Sequence, residues 1–204
     1  MQIKLLGHSS VKIKTQTGIV IYFDPYKISD DEKADLILIS HDHFDHNSPS
    51  DVESLQKDET IIITTPEAAK THSGTVKALK PGDKITIGNI KVEAVAAYNI
   101  GKKFHPKGLG IGFVVAVEGK KIYFAGDTDN IPEMDKLKEI DVAFLPIGGT
   151  YTMNAIEAAE AANKISPKLC IPIHFGSVVG SKKDAEKFKD ECSKLGCSCE
   201  VRIL

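Results

Sequence analysis

The sequence predicts a layered domain in the α/β or α+β class. Three observations predict it. Apolar residues fall in many short runs punctuated by Gly, Asn and Asp, the signature of strands and tight turns. Only a few stretches carry helix-start signals, and they are spread along the chain so that they can cover two sets of strands. At 204 residues and 22.1 kDa, the length suits one domain spanning residues 1–204.

The elements follow in order. Gln2–Leu6, Ser10–Thr15 and Gly18–Phe23 are apolar stretches separated by Gly7 and a Gln16-Thr17-Gly18 turn, which predicts an antiparallel meander. Ala34–Ser40 is almost continuously apolar, as for a strand buried on both faces. Ser48-Pro49-Ser50 opens a helix to about Lys57, with Ser50 and Glu53 spaced as a capping box. Thr60–Thr64 is a strand, and Thr65-Pro66-Glu67 starts a short helix. Ile85–Ile87, Lys91–Ala96, Gly112–Val117 and Lys121–Ala125 are strands, with Gly88-Asn89 and Glu118-Gly119 as tight turns. Then come a strand at Val142–Pro146, a helix at Ala155–Lys164 begun by Asn154 and Glu157, and a strand at Lys168–Ile173. An amphipathic helix at Ser181–Leu195 and a strand at Ser198–Ile203 complete the pattern.

Composition excludes several classes. Hydrophobic residues make up 42% and charged residues 26%, a globular rather than a disordered mix. The net charge of −2 is not that of a general nucleic-acid binder, and Arg202 is the sole arginine, so guanidinium recognition of phosphate is nearly unavailable. No apolar run is long enough to span a bilayer, and the N-terminus lacks signal-peptide features. A cytoplasmic protein with no membrane partner is expected. Three of the four cysteines cluster at Cys192, Cys197 and Cys199, without the paired spacing of a structural zinc site, and read as plain thiols.

The chemistry concentrates after the buried strand, in Ser40-His41-Asp42-His43-Phe44-Asp45-His46. Residues two apart in extended chain point the same way, so His41 and His43 can grip one ion; after a turn, Asp45 and His46 can face a second. Imidazole and carboxylate are donors that zinc, iron and manganese accept. Other apolar runs also end in polar groups: Asp24-Pro25, Tyr98-Asn99, Gly126-Asp127-Thr128-Asp129 and His174-Phe175-Gly176. Sheet domains place active sites on loops at one edge of their strands.

His41-x-His43-x-Asp45-His46, Gly126-Asp127-Thr128 and Ile173-His174 together resemble the metallo-β-lactamase superfamily, in matching order along nearly the whole chain. Gly7-His8-Ser9-Ser10, Phe23-Asp24-Pro25 and Pro172-Ile173-His174-Phe175-Gly176 are similar to its compact metal-dependent hydrolase branch, related to ascorbate-phosphate lactonases and N-acyl phosphatidylethanolamine phospholipases. The resemblance implies an α+β fold: a four-layer αββα sandwich of two mixed sheets with a two-metal site at one edge. It gives His41 and His43 to the first metal, Asp45, His46 and His174 to the second, and Asp127 to both. Asp24 takes an orienting position behind the histidine loop. His8 is either beside the site or a buried histidine bonded to backbone.

One position departs from the family pattern. The place of the usual third histidine of the first metal reads Ala96-Ala97-Tyr98-Asn99, and the nearest histidine is His105. Either His105 reaches in and completes the site, or the first metal keeps two histidines and Asp127, with Asn99 left to orient substrate.

The implied chemistry is hydrolysis by a metal-activated hydroxide, with Asp45 holding the nucleophile and His174 at the second metal. The electrophile expected is an ester, lactone or phosphodiester of a small, anionic substrate. Lys102, Lys103 and Lys107 either draw an anionic substrate or are solvated surface charges. Tyr98 and Tyr151 stand near the expected rim. Two divalent ions are expected, zinc first, with manganese, iron or nickel as alternatives. A phosphodiesterase acting on nucleotides or nucleic acid, and a non-catalytic metal module, are the competing readings. The expected partner is a small molecule rather than nucleic acid, with a homo-oligomer as the base-rate assembly.

Overall fold

The computed structural model describes residues 1–197 and 200–202. Among the described residues, thirteen strands form two sheets. The first, in the order β1-β2-β3-β4-β5-β6, contains β1 (Gln2–Gly7), β2 (Ser10–Lys14), β3 (Val20–Phe23), β4 (Leu36–Leu38), β5 (Ile61–Thr64) and β6 (Thr75–Ala78). The second contains β7 (Lys84–Ile87), β8 (Ile90–Ala97), β9 (Gly110–Val117), β10 (Lys120–Phe124), β11 (Val142–Pro146), β12 (Leu169–Ile173) and β13 (Glu200–Val201), in sequence order from one edge to the other. Each sheet starts as an antiparallel meander and continues parallel, from β3 onward in the first and from β10 onward in the second. Both sheets are therefore mixed, as expected.

The layers follow from strand alternation. Ile21 and Phe23 of β3 and Ile122 and Phe124 of β10 face inward and share one core between the sheets; the rings of Phe23 and Phe124 stack at 4.9 Å. Val20 and Tyr22 face out and are covered by Val52 and Leu55 of helix α1 (Pro49–Leu55). Tyr123, Ala143 and Leu145 face out on the other side, under helices α2 (Ala155–Ile165) and α3 (Lys182–Lys194). Alanines at 155, 158, 159, 161 and 162 let α2 lie close to its sheet. The result is the four-layer αββα sandwich.

Several local expectations change. The cap of α1 is Ser48, whose hydroxyl accepts from the Asp51 N–H, with Pro49 opening the helix; Ser50 lies inside the first turn. β6 was not expected, because Thr75–Ala78 is a mostly exposed edge strand with no apolar alternation. The Ala34–Ser40 run is regular strand over Leu36–Leu38, with Asp35 and Ile39 still bonded to Val20 and Ile63, and its end leads into the histidine segment. The short helix after Thr65 is a 3-10 turn at Ala68–Thr71, and a second such turn at Pro132–Lys136 was not foreseen. Of the Ser198–Ile203 strand, residues 200–201 are paired and residues 198, 199 and 203 lie outside the described residues, as does Cys199.

Candidate metal centre

The strands β3, β4, β10 and β12 all run in parallel pairs, so their C-terminal ends share one edge of the sandwich. Asp24, His41, Asp127 and His174 come directly off those ends. The two sheets meet here. The Ile111 N–H donates to the Ser40 carbonyl at 2.9 Å, and a Cβ on Gly126 would lie 3.0 Å from the Ser40 Cβ and 2.9 Å from the Ile111 carbonyl. Gly126 also has φ +64, so glycine is required there on both counts.

Three groups of donors converge, each with ligand atoms within 4.8 Å of one another: His41, His43 and His105; His8, Asp45, His46 and His174; and His41, His46 and Asp127. Asp127 lies between the sets. Its Oδ2 is 3.3 Å from His105 Nε2 and 3.1 Å from His174 Nε2, and its Oδ1 is 3.3 Å from His46 Nε2. His105 Nε2 is 3.1 Å from His43 Nδ1. The loop after β8 thus brings His105 beside His41 and His43.

The supporting bonds fix which nitrogen faces inward. Asp24, fully buried, accepts from the Ser40 N–H, the Ser40 hydroxyl and the His46 Nδ1–H, each at 2.7 Å. Ser40 Oγ in turn accepts from His41 Nδ1–H at 2.9 Å. Asn99 Oδ1 accepts from the His105 backbone N–H at 3.0 Å and from its Nδ1–H at 3.1 Å. Asn99 is held by Asp129 and the Tyr151 carbonyl. Each of these histidines therefore turns Nε2 toward the centre. His8 Nε2–H donates to Asp45 Oδ2 at 3.1 Å, and the His174 N–H donates to the His8 carbonyl.

The donor set fits a metal. His41 Nε2, His46 Nε2, His174 Nε2 and Asp127 Oδ1 are buried and have no hydrogen-bond partner. Buried polar atoms left so cost about 1–3 kcal/mol each, a cost that coordination to a cation removes. For His8, His41 and His105 the electrostatics agree. Burial pushes the His8 and His105 imidazoles down and His41 well down, toward the neutral form a metal requires. Burial opposes charge on Asp127, but His174 and His46 outweigh it and hold the carboxyl well below the usual range. Burial also opposes charge on His46, yet Asp127 and Asp24 outweigh it and hold the imidazole well above the usual range. Burial likewise works against the Asp45 carboxylate, and the His8 bond overcomes it.

A cleft of about 510 Å³ opens on this centre, lined by Asp42, His43, Phe44, Asp45, Phe104, His105, Asp127, Tyr151, His174 and Val178. Tyr98 and Lys107 turn away from it. The Tyr98 hydroxyl donates to Glu133 at 2.9 Å, and Lys107 pairs with Glu133 at 2.8 Å and lies over the Tyr98 ring. Lys102 is bound to Asp129 at 2.6 Å and to the Thr152 carbonyl. The lysines that offered an anion attractor are thus engaged elsewhere, except Lys103, which is exposed and outside the cleft lining. Sequence reasoning missed Ser40, the link from Asp24 to His41, although it directly precedes the histidines. It missed Asp129, whose signal was a second carboxylate after the same strand. Gly148-Gly149-Thr150-Tyr151 reads in the sequence as either a close backbone approach to a ligand or an ordinary turn; in the structure Gly148 lies close to His174, where a Cβ would come within 2.8 Å of Nδ1 and 2.7 Å of the carbonyl.

A four-layer sandwich with a His/Asp centre at its strand ends defines a class, the metallo-β-lactamase-fold metal-dependent hydrolases. The family described as "Beta-lactamase superfamily domain" matches residues 2–174, and the chain belongs to it. It is similar to a UPF0173 metal-dependent hydrolase of Natranaerobius thermophilus, 33% identical with 98% of this chain and 96% of the relative covered. A UPF0173 metal-dependent hydrolase of Methanopyrus kandleri is 30% identical, with 100% and 96% covered. The crystal structure of a Parabacteroides distasonis protein, provisionally named a metal-dependent hydrolase, superposes with a TM-score of 0.88 at 37% identity, covering 98% of this chain and 91% of that one. The chain is accordingly a metal-dependent hydrolase.

Proposed function

We propose that the centre holds two divalent cations, zinc in the first instance, and hydrolyses an ester, lactone or phosphodiester of a small substrate. The observation that carries this reading is the position of Asp127 between two groups of donors, its two oxygens reaching His46 on one side and His105 and His174 on the other. His41, His43 and His105 would hold one ion, and Asp45, His46 and His174 the other, with Asp127 shared. Bound there, such ions supply Lewis acidity and bring the pKa of water from 15.7 to about 7.

The chain's own groups supply the rest. Asp45 stands at the cleft with one oxygen fixed by His8. It accepts a hydrogen bond from the attacking water and sets the direction of attack. His174 lines the cleft floor 3.1 Å from Asp127 and would hold the second ion together with it. Asp24, Ser40 and Asn99 keep the imidazoles turned inward, so little reorganisation accompanies reaction. Tyr151 lines the cleft wall and is a donor for the departing oxygen.

The cleft lining contains no Lys or Arg, which supports a small molecule over nucleic acid as substrate. A cytoplasmic location is part of the same proposal. Among the described residues no helix is long and apolar enough to cross a membrane. The test is elemental analysis of the purified protein, followed by a screen of esters, lactones and phosphodiesters with the native metal restored. Two equivalents of metal and turnover in one class are expected. One tightly held ion and no hydrolysis across the screen would favour a non-catalytic metal module.

A further inference from the structure

We propose that the mouth of the cleft is an apolar subsite holding an alkyl or aryl group of the substrate beside the scissile bond, an inference that rests on the hydrolase reading for the chemistry at its floor. Phe44 is 66% exposed, Phe104 47% and Val178 37%, and all three line the cleft. Folded chains rarely leave several large apolar side chains exposed around one concavity without a use for them.

Their placement is tied to the centre. Phe44 is the one apolar residue in the His41–His46 segment, and Phe104 directly precedes His105. Each ring is thus delivered by the same turn of chain that delivers a donor. Each is also braced edge-to-face by a tyrosine: Phe44 on Tyr26 at 5.9 Å and Phe104 on Tyr151 at 4.6 Å. Such contacts hold a ring in place while leaving another face open to a ligand.

Charge points the same way. Lys102 and Lys107, on the loop that carries Phe104, are each bound to a carboxylate away from the mouth. Lys103, on the same loop, is exposed but outside the lining, so above the donors of the centre the lining offers hydrocarbon with Asp42 and no cationic side chain for an anion. The site is a concavity of about 510 Å³ continuous with the centre, the size and shape of a small-ligand pocket. A second copy of the chain would need a broader, flatter surface.

The experiment measures binding of straight-chain hydroxamates of two to eight carbons to the metal-loaded protein by titration calorimetry. Kd is expected to fall about fourfold per added methylene, the factor for burying one CH₂. In the Phe44→Ser/Phe104→Ser double variant the increment is expected to drop below twofold. Leu195→Ser, an exposed apolar residue outside the cleft, should leave the series unchanged. A series of 4-alkylphenols, which needs no metal, reads the same increment if hydroxamates do not bind. Chain-length independence in both series, an unaltered increment in the double variant, or a wild-type dimer that buries Phe44 and Phe104 overturns the proposal. A steep increment together with no turnover across the screen of esters, lactones and phosphodiesters leaves the subsite standing and removes the proposed hydrolysis instead.

Discussion

Asp24 accepts three short hydrogen bonds without touching the cleft, and its backbone is held at φ 42 to do so. It sets the tautomers of His46 directly and of His41 through Ser40. In Asp24→Asn one acceptor oxygen becomes an NH₂ group facing those donors. Metal affinity is expected to fall about 10–100-fold, the usual effect of losing an orienting partner. Competition with a chelator checks this, and an unchanged affinity would show that Asp24 only supports the fold. His105→Ala is expected to lower bound metal from two equivalents to about one, because His105 closes the group with His41 and His43. Unchanged stoichiometry by elemental analysis would remove it from the ligand set. At this scale the histidine segment was legible because so many donors fall within six positions. His105 was not settled, since nothing local dictates how far a loop reaches. Only its bonds to Asn99 and the Tyr151 carbonyl place it.

Among the elements, α2 shows how a surface signal serves the centre. Asn154 accepts from the N–H groups of Ile156 and Glu157, and Glu157 accepts from the Asn154 N–H. This capping box anchors the end of the segment that carries Gly148 past His174. Asn154→Ala is expected to cost about 1 kcal/mol. For a chain of this length that corresponds to a fall of about 2–4 °C in Tm. Calorimetry checks it, and a shift within error would mean that packing of the alanine face carries the helix start. The box was legible because its residues are three apart. β6 was not, because an edge strand is held by backbone pairing with β5, which leaves little trace in side-chain pattern.

For the whole molecule, the pH dependence of stability is set away from the centre as well as within it. Asp30 accepts from Lys12 at 2.6 Å and lies 2.7 Å from the Tyr22 hydroxyl, tying the chain after β3 to the outer face of the first sheet. Burial works against the Asp30 charge, but the Lys12 and Tyr22 bonds outweigh it and hold the carboxyl well below its usual range. A folded-state pKa below the unfolded one means that the stabilisation is complete above about pH 4 and is lost as pH falls through the folded value. Asp30→Asn is expected to lose about 2 kcal/mol at pH 7, the scale of a charged hydrogen bond, with the gap to wild type closing below about pH 4. Urea unfolding at pH 7 and pH 3 measures both, and a gap independent of pH would contradict the assignment.

From the amino-acid order alone came the strands, their polar ends and most of the donors, because alternation, turn residues and clustered ligand types are written over neighbouring positions. Tertiary structure alone decided how the donors group, that Asp127 stands between the groups, that His105 rather than Asn99 faces His41, and that Phe44 and Phe104 rim the cleft while Lys102 and Lys107 turn to other carboxylates. The physical reason is distance along the chain: a side chain's partners here lie tens of residues away, and only the closing of two sheets on one core brings them within reach.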